Sequence, residues 1–235
     1  MSRPVLLNNI DHRDLRVASG RGAALGDALM SALTFPNEFR NVQAHYPIVF
    51  QKDAQGGFQP VALLGLEAGH NLFLHGDAWD AHYVPLAVER QPFLIGLDGE
   101  QRVIHIDLDH PRVRTDGSGE ALFREHGGTT DYLEQVNSVL QALDQGLQGT
   151  PAFIAALLQH NLLESFVLDY ALRDGSQRRL SGFYTVNEDR LAALDAAALQ
   201  ALSAASHLLP LYMTVASLSQ FRGLIERARH VAADA

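Results

Sequence analysis

The sequence predicts an α+β protein: a mixed, largely antiparallel sheet with helices packed on one side and a C-terminal half that is mainly helical. Three observations carry the prediction. Up to about residue 120, short apolar runs alternate with glycine and proline punctuation; beyond it, apolar residues recur at helical spacing; and one late segment returns to the strand pattern. No low-complexity linker marks the change of character. One domain over residues 1–235 is therefore expected, strand-rich over 1–120 and helix-rich over 121–235, with a shared core.

Three hairpins are expected in order. Pro47-Ile48-Val49-Phe50 and Phe58 to Leu66 are separated by a polar turn ending in Gly56-Gly57. Phe93 to Leu97 and Val103 to Asp107 flank Asp98-Gly99, a pair suited to a tight two-residue turn. Phe166 to Leu172 alternates apolar residues on one face, turns at Asp174-Gly175 and returns through Leu180 to Val186, where it could join the earlier sheet.

Helices follow from the 3.6-residue period. Asp131 to Leu147 carries Leu133, Val136, Leu140, Leu143 and Leu147 as one stripe. Gly149-Thr150-Pro151 reads as a helix end, an N-cap and a first-turn proline, opening a second helix with Phe153, Ile154, Leu157, Leu158 and Leu162 inward. Asp195 is placed to cap a short helix through Leu202. A last helix, roughly Leu208 to Ala232, aligns Leu211, Val215, Leu218, Phe221, Ile225 and Ala228.

Composition narrows the function classes. The 235 residues are 47% hydrophobic and 19% charged, enough for a sizeable core. A net charge of −9 argues against a nucleic-acid partner, because a phosphate backbone demands a basic face. Arg222, Arg227, Arg229 and His230 gather near the C-terminus, where cations suit the negative pole of a helix. With no cysteine there is no disulfide, thiolate metal site or thiol nucleophile. The first residues lack the apolar core of a signal peptide, and the apolar stretch Leu208 to Leu218 is too short to span a bilayer. No membrane span and a cytoplasmic location are expected.

Eleven histidines invite a metal reading, and His70, His75, His82, His105 and His110 lie close in sequence. In His105-Ile106-Asp107 the imidazole and carboxylate share a strand face, so both could ligate one ion. A distant histidine such as His160 would complete the two-His-one-carboxylate set of non-haem iron oxygenases. That chemistry sits in jelly rolls, however, whereas residues 131–163 read as helices. Gly20, Gly22 and Gly26 miss the dinucleotide fingerprint, because Leu25 stands where its third glycine belongs; they read as a loop. No nucleophile elbow, P-loop, H-E-x-x-H or EF-hand loop is present.

The block from His45 to Phe93 departs most from ordinary core sequence. It contains Tyr46-Pro47-Ile48-Val49-Phe50, Ala62-Leu63-Leu64-Gly65-Leu66, Asn71-Leu72-Phe73, Trp79-Asp80-Ala81-His82-Tyr83-Val84-Pro85 and Arg90-Gln91-Pro92-Phe93. Each proline sets its predecessor extended. Trp79 and Tyr83 would be neighbours if that stretch formed a helical turn.

These motifs, in this order, resemble the SapC family of bacterial proteins, named for a surface-layer gene cluster. Leu122-Phe123, the stretch around Val186-Asn187-Glu188, and Ser217-Leu218-x-Gln220 extend the resemblance from about residue 30 to residue 227. The transporter permease that shares the name is a different protein, since this chain has no spans. The resemblance carries no catalytic residues over to this chain.

Three functional expectations stand. The first is a non-enzymatic binding or accessory protein for a small molecule, sugar or peptide, with Tyr46, Trp79, Tyr83 and Phe93 as aromatic walls and Asn71 and Arg90 as polar anchors. The second is a metal-dependent enzyme of the non-haem iron type using His105 and Asp107. The third is a surface-layer assembly partner. Cofactor and oligomeric state are left open.

Overall fold

The computed structural model describes residues 2–99 and 101–231. Its strands and helices follow in chain order as β1 (Pro4–Leu6), β2 (Arg16–Val17), β3 (Ser31–Leu33), α1 (Phe39–Val42), β4 (Ile48–Lys52), β5 (Phe58–Leu63), β6 (Leu74–His75), β7 (Ala78–Trp79), α2 (Leu86–Glu89), β8 (Phe93–Asp98), β9 (Gln101–Asp107), β10 (Val113–Arg114), β11 (Glu120–Ala121), α3 (Asp131–Gln159), β12 (Leu163–Ala171), β13 (Gln177–Val186), α4 (Glu188–Ala192), α5 (Ala196–Ala204), α6 (Leu208–Ser217) and α7 (Phe221–Val231). The α+β class is found, and the strand pairs are antiparallel. The strands divide among several sheets instead of one.

The chain forms two compact units, each assembled from separated stretches. The first comprises Met1–Ala28, Leu74–Asp80 and Leu86–Gln145. Its sheets are β1-β9-β8, β10-β2-β11 and the small hairpin β6-β7. Alternation along β9 turns Ile104 and Ile106 to a core shared with Val17, Phe93, Leu122, Leu133, Val136 and Leu140. The β8–β9 hairpin pairs Asp98 with Gln101, so Asp98 is the last strand residue and not part of the turn.

The second unit comprises Leu29–Phe73, Ala81–Pro85 and Gly146–Ala235. Its five-stranded sheet runs β12-β13-β4-β5-β3, so the late hairpin does join the earlier strands, through Tyr184 opposite Phe50. Ile48, Val49 and Phe50 are all fully buried, as a central strand covered on both faces requires.

Two helical expectations are corrected. Residues 131–147 and 153–162 do not form separate helices: α3 is continuous over 29 residues, with Pro151 inside it. Proline costs a helical hydrogen bond, but burial of Leu140, Leu143, Phe153, Ile154 and Leu157 outweighs that local signal. Gly146 serves packing as well: a Cβ there would lie 2.1 Å from the Phe35 ring. The helix stops at Asn161, in the left-handed region at φ 53°. There Leu162 N–H bonds Leu157 C=O at 2.8 Å and Asn161 N–H bonds Leu158 C=O at 3.0 Å, the Schellman arrangement.

The expected last helix is broken into α6, a 3-10 turn at Leu218–Gln220, and α7; Ala232 lies outside the described residues. Its buried face is also rotated. Thr214 and Ser217 are fully buried, whereas Val215 is half-exposed. The hydroxyls explain the rotation. Ile48 N–H donates to Ser217 Oγ at 2.8 Å, Ser217 Oγ donates to Thr214 C=O at 2.6 Å, and Thr214 Oγ1 donates to Pro210 C=O at 3.1 Å. Gln220 Nε2 adds bonds to the carbonyls of Gln43 and Ala44 at 3.3 and 3.2 Å. The Ser217-Leu218-x-Gln220 motif thus fastens α6 and the following turn to the chain that enters β4.

Ser217→Ala would leave the buried Ile48 N–H without an acceptor. The expected loss is about 1–3 kcal/mol of unfolding free energy, read by urea denaturation. A change within experimental error would show that this bond does not hold β4.

Candidate functional site

The residues expected to form an aromatic pocket fall in both units. In the second unit Tyr46 is fully buried and its hydroxyl donates to Tyr83 C=O. Tyr83 in turn donates to Glu38 Oε1 at 2.8 Å, and Thr34 donates to Glu38 Oε2 at 2.6 Å. Glu38 is 3% exposed, so these hydroxyls supply what water would otherwise give its carboxylate. The Asn71 carboxamide oxygen accepts Phe73 N–H at 3.0 Å, an Asx turn that brings Phe73 edge-on to Tyr46 at 4.6 Å. Tyr46, Asn71 and Tyr83 therefore brace the second unit.

In the first unit, Trp79 lies in the β6–β7 hairpin, and residues 79–83 form no helical turn. The Arg21 guanidinium sits 5.8 Å from the Trp79 ring centre. Arg90 Nη1 donates to Phe93 C=O at 2.6 Å and Arg90 C=O accepts Phe93 N–H at 2.8 Å, closing the Arg-x-Pro-Phe turn on itself. Burial lowers the pKa of Arg90. Phe93 is fully buried in the core.

Asp107 is engaged by other groups, whereas His105 is packed in the sheet with its Nδ1 buried and without a hydrogen-bond partner. A Cβ on Gly96 would come within 1.7 Å of His105 Nδ1, so the imidazole lies across the neighbouring strand. Asp107 accepts from the Ser2 hydroxyl at 2.7 Å and from the backbone N–H groups of Arg3 and Asp109 at 2.7 and 3.2 Å. Its slight burial pushes the pKa up, but those bonds and nearby His110 outweigh it and hold the carboxyl low. Among the described residues, no three His, Asp or Glu side chains are grouped to hold a metal ion.

A different constellation, absent from the sequence reading, occupies the first unit. The Gly20–Gly26 loop is drawn around Arg112, which is 3% exposed, and Asp27, which is fully buried. Arg112 Nη2 donates to both Asp27 oxygens at 2.8 Å; Nη1 donates to Ala18 C=O at 3.1 Å and to Gly20 C=O at 2.5 Å. Gly22 N–H adds a bond to Asp27 Oδ2 at 2.9 Å. Gly26 has φ +90°, and a Cβ there would press to 3.3 Å on the His110 ring. His110 Nδ1 accepts Arg112 N–H at 3.2 Å; burial first, and then the Arg112 charge, pull its pKa below the ordinary value.

Arg112 also lines a cleft of about 410 Å³. Ser19, Arg21, Glu89, Gln91, Tyr132 and Gln135 contribute polar groups, and Ala18, Val136 and Val139 an apolar strip. Arg21 is ion-paired to Glu89. Two buried polar atoms of lining residues lack hydrogen-bond partners: Arg112 Nε and Gln91 Oε1. Desolvation raises the Tyr132 pKa from 10 to about 12, so its hydroxyl remains a donor through neutral and mildly alkaline pH. The sequence signal for this site was the glycine cluster ending in Asp27; its partner, Arg112, lies too far along the chain to be paired by inspection.

The SapC family model matches residues 7–224 of the chain. No curated protein and no solved structure matches it. Among the described residues, no single helix is long and apolar enough to cross a membrane.

Asp27→Ala would strand a buried guanidinium. Unfolding free energy is expected to fall by about 3–5 kcal/mol in chemical denaturation, with Asp27→Ala/Arg112→Met recovering part of it. Equal loss in the single and double variants would contradict the pairing.

Proposed function

The chain belongs to the SapC family, and on that footing we propose that it is a non-enzymatic binding protein whose first unit takes a neutral, polyhydroxylated molecule of the sugar class. The observation that carries this reading is Arg112. Its guanidinium is buried and fixed by Asp27, Ala18 and Gly20, yet its Nε–H has no acceptor. An unmet buried donor costs free energy; Nε is closed to solvent here, so a ligand oxygen recovers that cost by reaching it as the cleft wall adjusts.

The rest of the lining favours hydroxyl groups. Arg112 is neutralised by Asp27, Arg21 by Glu89 and Asp131 by Arg124, and the Glu120 carboxylate in the lining disfavours an anionic ligand. Ser19, Gln91, Tyr132 and Gln135 both donate and accept, as sugar hydroxyls do. The volume suits a small organic ligand, and Val136 and Val139 offer an apolar strip to the carbon face of a ring.

Calorimetric titration with a panel of neutral mono- and disaccharides tests the proposal. At least one should bind, and Tyr132→Phe and Gln135→Ala should each weaken it about three- to tenfold while leaving the thermal midpoint near that of the parent. Because Tyr132 keeps its proton to about pH 12, its contribution to affinity should not titrate away between pH 6 and pH 10. No binding at millimolar saccharide, or equal affinity in both variants, contradicts the reading.

A further inference from the structure

The second unit carries a groove of about 690 Å³ that none of the family motifs lines. Leu208, Leu209, Pro210, Tyr212 and Met213, from the start of α6, line it together with Pro36. Leu209 and Tyr212 are 56% and 50% exposed, although residues three apart on a helix share a face and could have been turned inward together. The same helix buries Pro210, Leu211, Thr214 and Ser217. Its inward face is therefore already complete, and the Leu209–Tyr212 pair is surplus to folding.

Arg40 is the charged side chain in this groove. It is exposed, and no hydrogen bond or ion pair occupies its guanidinium among the described residues. Asn37, Ser203 and Ser206 complete a polar rim. An apolar pair beside a cation, on a chain of net charge −9, selects one kind of partner. An acidic segment is repelled by the surface at large and attracted at Arg40, which fixes where it lands.

We infer that the groove lined by Arg40, Leu209 and Tyr212 docks a short peptide segment of a partner protein that carries a bulky apolar side chain next to a carboxylate. The apolar side chain covers Leu209 and Tyr212, excluding water from both. The carboxylate meets Arg40, and the serine and asparagine side chains of the rim satisfy the peptide backbone.

Fluorescence polarisation of the full chain with a fluorescein-labelled peptide, Ser-Leu-Phe-Asp-Glu-Ser, tests this. Saturable binding is expected. It should weaken about tenfold on Tyr212→Ser, and several-fold on Arg40→Glu or on replacing the peptide's acids by their amides, with the Arg40 contribution shrinking as salt is raised. All the substituted residues are exposed, so the thermal midpoint should hold. Three results would overturn the inference: no binding at millimolar peptide, affinity unchanged by both substitutions, or a concentration-dependent dimer that Tyr212→Ser dissolves, which would make a second copy the occupant. None depends on the cleft of the first unit, so this test stands or falls apart from the saccharide titration.

Discussion

The buried Asp27–Arg112 pair is the constraint on which the first unit's candidate site depends. Two charges removed from water are tolerated only when hydrogen bonds replace the lost hydration. Here Asp27 receives Gly22 N–H and the guanidinium, while Arg112 spends its second terminal nitrogen on the carbonyls of Ala18 and Gly20. The backbone of the Gly20–Gly26 loop requires glycine at Gly22 and Gly26, which have φ +153° and +90°, whereas Gly20 has room for a side chain. The pair thus shapes the backbone first, and the cleft wall is a consequence. The remaining Nε–H has no protein acceptor, so the arrangement that stabilises the loop also leaves one buried donor unused.

The second unit solves the same problem with hydroxyls. Glu38 accepts from Thr34 and Tyr83, and Ser217 accepts from Ile48 while donating to Thr214. Residues from four of the family motifs, Tyr46, Asn71, Tyr83 and Ser217, are spent on these internal bonds. Each of these side chains thus has a structural occupation that needs no ligand. Tyrosine at these positions supplies both ring packing and a hydroxyl, so phenylalanine would satisfy the core but deprive Tyr83 C=O of a donor at position 46 and Glu38 of one at position 83.

Where local pattern and burial agree, the sequence was a good guide. The late hairpin followed from alternation and joins the earlier strands as expected, and the Asp195 cap appears as expected, with its carboxylate accepting Ala198 N–H at 2.8 Å. Where they conflict, burial won. Gly149-Thr150-Pro151 carries every local mark of a helix boundary, yet α3 runs through it, with Leu140 and Leu143 buried before it and Phe153, Ile154 and Leu157 buried after it. In the final helix, apolarity pointed to Val215, but two hydroxyls with specific acceptors turned Thr214 and Ser217 inward. Hydropathy cannot register a hydrogen bond that is worth more than a methyl group.

The candidate site was legible only in fragments. Gln91 lies inside the Arg90-Gln91-Pro92-Phe93 motif, but the block from His45 to Phe93 stands out by its aromatic side chains, whereas the cleft is lined mainly by polar ones. A buried arginine is invisible to composition, since arginines usually lie on the surface; its identification requires the fold that brings residue 112 beside residue 27. The most direct test is therefore the Arg112 side chain itself. Its Nε–H resonance, assigned by its loss in Arg112→Lys, can be followed by nitrogen-15 nuclear magnetic resonance as saccharide is added. The account predicts a saturable shift of that resonance and slower exchange of its proton with water. An Nε–H signal that stays fixed while the protein is saturated with ligand would contradict it.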